Sequence, residues 1–149
     1  MLGITTVARV SLITLALLFA VGRVEAGTAK IVDDMDAIAL TMSKDFSEDR
    51  LDDVADMLTE LVGIPEQKTS VENSFGLFKG KRADLIDKVV DKTYGTSLRQ
   101  IVYFLSYSDN TFLYLRFNFK RTGKGWILAN FWYKTEGVEI FPMGFIESH

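Results

Sequence analysis

The sequence predicts an α+β domain, two to three N-terminal helices packed on one face of a curved antiparallel meander of about four strands. Three observations predict it. Apolar residues recur at intervals of three and four from residue 29 to about residue 79. From about residue 83 onward the period changes to two, with β-branched and aromatic residues dominating. Short turn-forming clusters separate the alternating runs, so neighbouring strands are joined by hairpins rather than crossovers.

Ahead of the domain stands a different kind of segment. Arg9 precedes a 12-residue apolar run, residues 10–21, and Val24-Glu25-Ala26 places small residues where a signal peptidase reads them. This is the layout of a cleavable secretory signal over residues 1–26. A membrane anchor needs roughly 20 apolar residues, and Arg23 and Glu25 interrupt the run before that. The expected mature chain is residues 27–149, a single domain of 123 residues with no membrane span. It has no cysteine, which excludes disulfides, a thiolate nucleophile, thiolate metal ligation and a lipid-modified cysteine. Export without disulfides fits a bacterial periplasm or the medium.

Residues 29–46 read as the first helix, with Val32, Met35, Ile38 or Ala39, Met42 and Phe46 on one face. Asp33, Asp34 and Asp36 fall in its first turns, where negative charge meets the positive end of the helix dipole. Ser47 is the expected N-cap of a second helix. Leu51, Val54, Leu58, Leu61 and Val62 form its apolar stripe, and Gly63 with Pro65 ends it. Residues 70–79 form a weaker third helix, because Gly76 interrupts the face of Val71, Phe75 and Phe78 and costs about 1 kcal/mol relative to alanine.

The strands follow. Residues 83–92 form the first, and residues 94–97 turn the chain into the second, residues 98–107. Asp109-Asn110 makes a tight connection to residues 112–120, the clearest strand: Leu113, Leu115, Phe117 and Phe119 point one way, and Tyr114, Arg116, Asn118 and Lys120 the other. Thr122-Gly123-Lys124-Gly125 is a hairpin turn, and residues 126–134 pair back. Residues 138–146 add a short edge strand limited by Pro142.

Certain phrases carry a resemblance. Gly95-Thr96-Ser97-Leu98-Arg99-Gln100-Ile101-Val102-Tyr103, Tyr114-Leu115-Arg116-Phe117-Asn118-Phe119-Lys120 and Gly125-Trp126-Ile127-Leu128-Ala129-Asn130-Phe131 resemble the strands of small exported bacterial members of the nuclear transport factor 2-like group, the cystatin-like α+β roll. The resemblance spans residues 29–135 and is structural in kind. It implies dimers formed through the outer sheet face and a small apolar ligand held between sheet and helices. Some members of that group are isomerases or dehydratases built on an Asp, Tyr or His inside the cone. No motif here carries those residues over, and the only histidine is His149.

Charge is distributed unevenly. Residues 33–60 hold ten acids and two bases, whereas residues 61–149 hold nine acids and twelve bases. So small a basic excess argues against a nucleic-acid partner. The acidic series Asp45, Glu48, Asp49, Asp52, Asp53, Asp56 and Glu60 reads as a solvated helix face or as a docking face, and a straight helix does not wrap a calcium ion. The basic set Arg116, Lys120, Arg121 and Lys124 lies near one hairpin, with Lys79, Lys81 and Arg82 as a second group. Both are open to two readings, an anion-binding surface and protection against strand aggregation.

Aromatic residues crowd both faces of the sheet. Phe112, Tyr114 and Trp132 fall on the face opposite one that packs on the helices, which marks them as a dimer face. Cover by residues 138–146 is the alternative. Arg99, Arg116, Asn118, Asn130 and Tyr133 are the polar candidates for an interior pocket, since ligand sites combine apolar walls with a few fixed polar groups. The alternative places them on the solvent face. No phosphate loop, dinucleotide fingerprint, nucleophile elbow or zinc motif is present, so no metal or cofactor is implied. The expected function is an exported, non-catalytic domain, a homodimer that binds a small apolar or amphipathic ligand or a protein partner. Two alternatives stand beside it: a cofactor-free lyase or isomerase using carboxylate and tyrosine groups, and an envelope inhibitor or structural module.

Overall fold

The computed structural model describes residues 29–135. The expected signal segment, the strand at residues 138–146 and His149 lie outside the described residues. Three helices precede a four-stranded antiparallel meander in the order β1-β2-β3-β4, the α+β architecture expected from the sequence.

Helix α1 spans Met35–Ser47 and starts later than the periodicity suggests. Asp34 is its N-cap, with Oδ1 accepting from the Ala37 N–H at 2.9 Å. Residues 29–34 instead tie the sheet to the second helix: the Val32 N–H donates to the Trp126 carbonyl at 2.8 Å, and the Lys30 N–H to the Leu61 carbonyl at 3.0 Å. Ser47 lies inside α1, its hydroxyl bonded to the Lys44 carbonyl at 2.8 Å, and so does not cap the second helix. Asp45 makes the turn between them. Its carbonyl accepts the Arg50 N–H at 2.8 Å, and its carboxylate accepts from the Arg50 guanidinium. Asp49 takes a left-handed φ of 63° in that turn.

Helix α2, Leu51–Val62, ends as expected at Gly63, whose φ of 76° suits a residue without Cβ. The third helical segment breaks in two. Helix α3 runs Lys68–Ser74, and a single 3₁₀ turn follows at Gly76–Phe78. The glycine permits the break, and the apolar face is kept by Val71, Phe75 and Phe78, all buried.

The strands are β1 (Ala83–Tyr94), β2 (Leu98–Tyr107), β3 (Phe112–Thr122) and β4 (Gly125–Lys134). Bulges fall between Ala83 and Leu85, between Lys88 and Val90, and beside Asn118 where β3 meets β4. Each bulge adds a residue to one strand and sharpens the twist. One sheet face carries Ile101, Tyr103, Leu105, Tyr107, Leu113, Leu115, Phe117, Phe119, Leu128 and Phe131, every one buried. Against it pack Ala39 and Met42 of α1, Val54, Leu58 and Leu61 of α2, and Val71 of α3. Phe46, Phe75, Phe78 and Tyr133 form an aromatic knot at one end, with centroid distances of 5.0 Å for Phe46–Phe75 and 5.3 Å for Phe75–Tyr133. Edge-to-face pairs of this kind add about 0.5–1.5 kcal/mol each beyond burial of their area.

Candidate functional site

The five pocket candidates divide between the two faces of the sheet. Arg99 and Tyr133 stand on the helix side, and Arg116, Asn118 and Asn130 on the outer side. The five therefore do not line one cavity. Strand alternation is the reason: Arg116 and Asn118 are two apart and share a face, whereas Arg99 pairs in register with Phe119 of the helix-facing row.

Arg99 is the centre of an ion cluster where the start of α1 meets β1 and β2. Its Nε and Nη2 donate to both carboxylate oxygens of Asp91, at 2.9 and 2.8 Å. Nη2 also lies 2.8 Å from Asp36 Oδ2 on α1. Lys88 closes the ring, with Nζ 3.1 Å from each of Asp36 and Asp91. Burial pushes the Asp36 carboxyl up, but hydrogen bonds from Arg99 and Lys88 outweigh it and hold it below the usual carboxylate value. Asp91 is held low chiefly by its bond from Arg99. Two acids and two bases thus satisfy one another, and both acids stay ionised. Tyr103 lies beneath the cluster, its phenol pushed up by burial. Asp36, Lys88 and Asp91 were not among the sequence candidates; the signal that could have found Asp91 is the β1–β2 hairpin, whose register sets it diagonally across from Arg99 on one face.

Tyr133 is held in the core. Its hydroxyl donates to the Ser74 carbonyl at 2.8 Å, joining β4 to the end of α3. Asp45 departs from the reading of the acidic series as a solvated face. It is buried, and desolvation raises its carboxyl even though the Arg50 guanidinium opposes the shift. Asp52, Asp53, Asp56 and Glu60 are exposed as expected. Among the described residues no group of His, Cys, Asp or Glu side chains is placed to hold a metal ion. A shallow groove of about 260 Å³ runs between Asp49, Leu51 and Asp52 on one side and Glu72, Asn73, Gly76 and Lys79 on the other.

The outer sheet face carries the other candidates together. Phe112, Tyr114 and Trp132 all lie there, joined by Phe104, the cross-strand partner of Tyr114, which was not among the sequence candidates. Phe104 stacks on Phe112 at 5.7 Å and contacts Tyr114 at 5.2 Å. The Arg116 guanidinium lies over the Trp132 ring at 4.9 Å, and burial lowers its pKa. Beside them runs a row of amides. Gln100 Nε2 donates to Asn118 Oδ1 at 2.9 Å, and Asn118 Nδ2 donates to Asn130 Oδ1 at 2.5 Å. Register explains the row, since Gln100, Asn118 and Asn130 are direct cross-strand partners. Phe112 remains 46% exposed.

With this geometry in hand, comparison with protein-family models, with curated proteins and with solved structures gives no match for the chain.

Proposed function

We propose that this chain is an exported, non-catalytic interaction domain that pairs with a second copy through the outer face of its sheet. One observation carries the reading. Phe104, Phe112 and Tyr114 form a stacked aromatic patch on the face away from all three helices, with Phe112 half in solvent. A large aromatic side chain left in water gives up roughly 1.5–3 kcal/mol that burial would return. Patches of this kind mark interfaces.

The helix side supports the same reading from the opposite direction. Acid–base catalysis needs a carboxyl with a raised pKa facing a site. Asp36 and Asp91 are held low by their cationic partners. Asp45 is raised but clasped by Arg50 at the helix turn. Arg99 and Tyr133, the helix-side pocket candidates, are engaged in the ion cluster and the aromatic knot. The order of elements agrees with the likeness to the nuclear transport factor 2-like group, and the N-terminal pattern with action in the periplasm or medium.

Sedimentation equilibrium of the purified chain tests the reading. A dimer that the Phe112→Asp variant converts to a folded monomer is the expected result. A wild-type monomer whose Phe112 resists solvent quenching overturns it and assigns cover of the patch to residues 138–146.

A further inference from the structure

The basic residues near the hairpins are not explained by the outer-face interface, and the structure gathers four of them at the opposite end of the sheet. The β1–β2 turn, residues 95–97, and the β3–β4 turn, residues 123–124, lie side by side there. The Arg121 N–H donates to the Ser97 carbonyl at 2.8 Å and ties the two together. Lys92, Lys120, Arg121 and Lys124 surround this junction, and all are exposed. Among the described residues no carboxylate pairs with any of the four, whereas Lys30, Arg50, Lys68, Lys81, Lys88 and Arg99 are each engaged by an acid. Nearby along the fold stand Asp91 and Asp36, both engaged by Arg99 and Lys88, and Asp33, one residue beyond the Val32–Trp126 bridge.

Protection against edge-to-edge aggregation could explain Lys92, on the edge strand β1, but not Lys120 and Arg121. That role belongs to edge strands, and Lys120 and Arg121 are on β3, a central strand paired on both sides. The same end also exposes apolar groups. Leu98 is 47% exposed and Tyr94 is 41% exposed, and the two are cross-strand partners, with Lys120 next in the row. The Lys92 ammonium lies 5.0 Å over the Tyr94 ring.

We propose that this end of the sheet is a docking surface for an anionic membrane, with Lys92, Lys120, Arg121 and Lys124 meeting lipid headgroups and Leu98 and Tyr94 entering the interfacial layer. Unpaired cations alone would suit any polyanion. The adjoining leucine and tyrosine decide for a membrane, because a hydrophilic polymer offers an exposed leucine nothing, whereas the headgroup boundary buries it. Aromatic rings with one wet end favour the same boundary.

The test is co-sedimentation of the full chain with vesicles of phosphatidylglycerol and phosphatidylethanolamine, against vesicles of phosphatidylcholine alone. The proposal expects binding to the anionic vesicles that weakens as salt is raised. Neutralising a cation near an anionic surface costs about fivefold in partitioning, so Lys120→Ala with Lys124→Ala is expected to weaken binding about thirtyfold. Lys44→Ala with Lys79→Ala makes the same change in net charge elsewhere and is expected to leave binding within about twofold. Leu98→Ser is expected to weaken binding severalfold with the salt dependence intact. The N-terminal apolar run is common to all these variants and would bind the neutral vesicles as well. Equal binding of wild type and the double tip variant overturns the proposal. So does capture on a soluble polyphosphate that Leu98→Ser does not alter, which would assign the surface to a hydrophilic polyanion. No residue in these variants belongs to the Phe104–Phe112–Tyr114 patch, so either surface can fail without the other.

Discussion

Replacing Arg99 with methionine removes the centre of the Asp36–Lys88–Asp91 cluster while keeping most of the side-chain volume. The Arg99 side chain is only 19% exposed, but its partners Asp36 and Asp91 are 47% and 32% exposed. The loss therefore falls between two regimes. Exposed ion pairs contribute about 0.2–1 kcal/mol, and breaking a buried pair costs about 3–5 kcal/mol. Three charge-assisted contacts partly open to water place the expected loss at about 2 kcal/mol at neutral pH. For a folded domain of this size that lowers the melting midpoint by about 8 °C. The pH dependence follows from the two carboxyls. Both have folded pKa values held below the ordinary value, so the unfolded chain binds more protons as the pH falls. Their contribution is fully present above the unfolded value of about 3.9 and is lost as the pH drops through the folded values. Wild type and Arg99→Met should therefore differ most near neutrality and converge in acid below that value. Circular dichroism melts across this range measure the difference. Indistinguishable melts at neutral pH, or a gap that persists undiminished in acid, would refute the assignment of Arg99 as a charge centre rather than as packing.

Two further predictions concern packing and backbone. Tyr133→Phe leaves the aromatic knot intact and removes the hydroxyl that donates to Ser74, so urea denaturation should show a loss of about 1 kcal/mol with an unchanged slope. Gly125 has a φ of 140°, and a Cβ there would stand 2.9 Å from Ile31 Cγ2. Gly125→Ala should cost about 1–3 kcal/mol through backbone strain and accelerate amide exchange at Val32, whose bond to Trp126 it disturbs. Gly123→Ala, two residues away with nothing within 4 Å of its Cβ, should leave both unchanged.

The sequence made the sheet legible because its signal is local. Leu113, Leu115, Phe117 and Phe119 alternate without error, and all four are buried on one face. Helix ends were less legible where a competing partner decides them. Residues 29–34 continue a helical pattern on paper, but Asp34 caps the helix and Val32 gains a sheet partner instead. Ser47 is a good N-cap by type, but the turn is governed by Asp45, whose carbonyl and carboxylate both bind Arg50. An aspartate among seven acids gives no sign that it alone is buried. That depends on which helix face meets the core and on Arg50 being five residues away.

Which sheet face the helices would choose was not stated by alternation, yet the composition of the two faces decides it. The row headed by Leu113, with its partners on β2 and β4, is apolar at almost every position. The other face interrupts its aromatics with Gln100, Ser106, Arg116, Asn118 and Asn130. Burying the second face under helices would strand the Gln100–Asn118–Asn130 amides and the Arg116 guanidinium in an apolar layer, at a cost of roughly 1–3 kcal/mol for each group left unsatisfied. The apolar stripe of α2 therefore takes the first face. The amides pair with one another across the strands, which keeps the second face ordered without requiring a cover. The two faces thus differ in kind: the first is apolar enough to be buried under the helices, and the second keeps its polar groups paired where no helix packs on it.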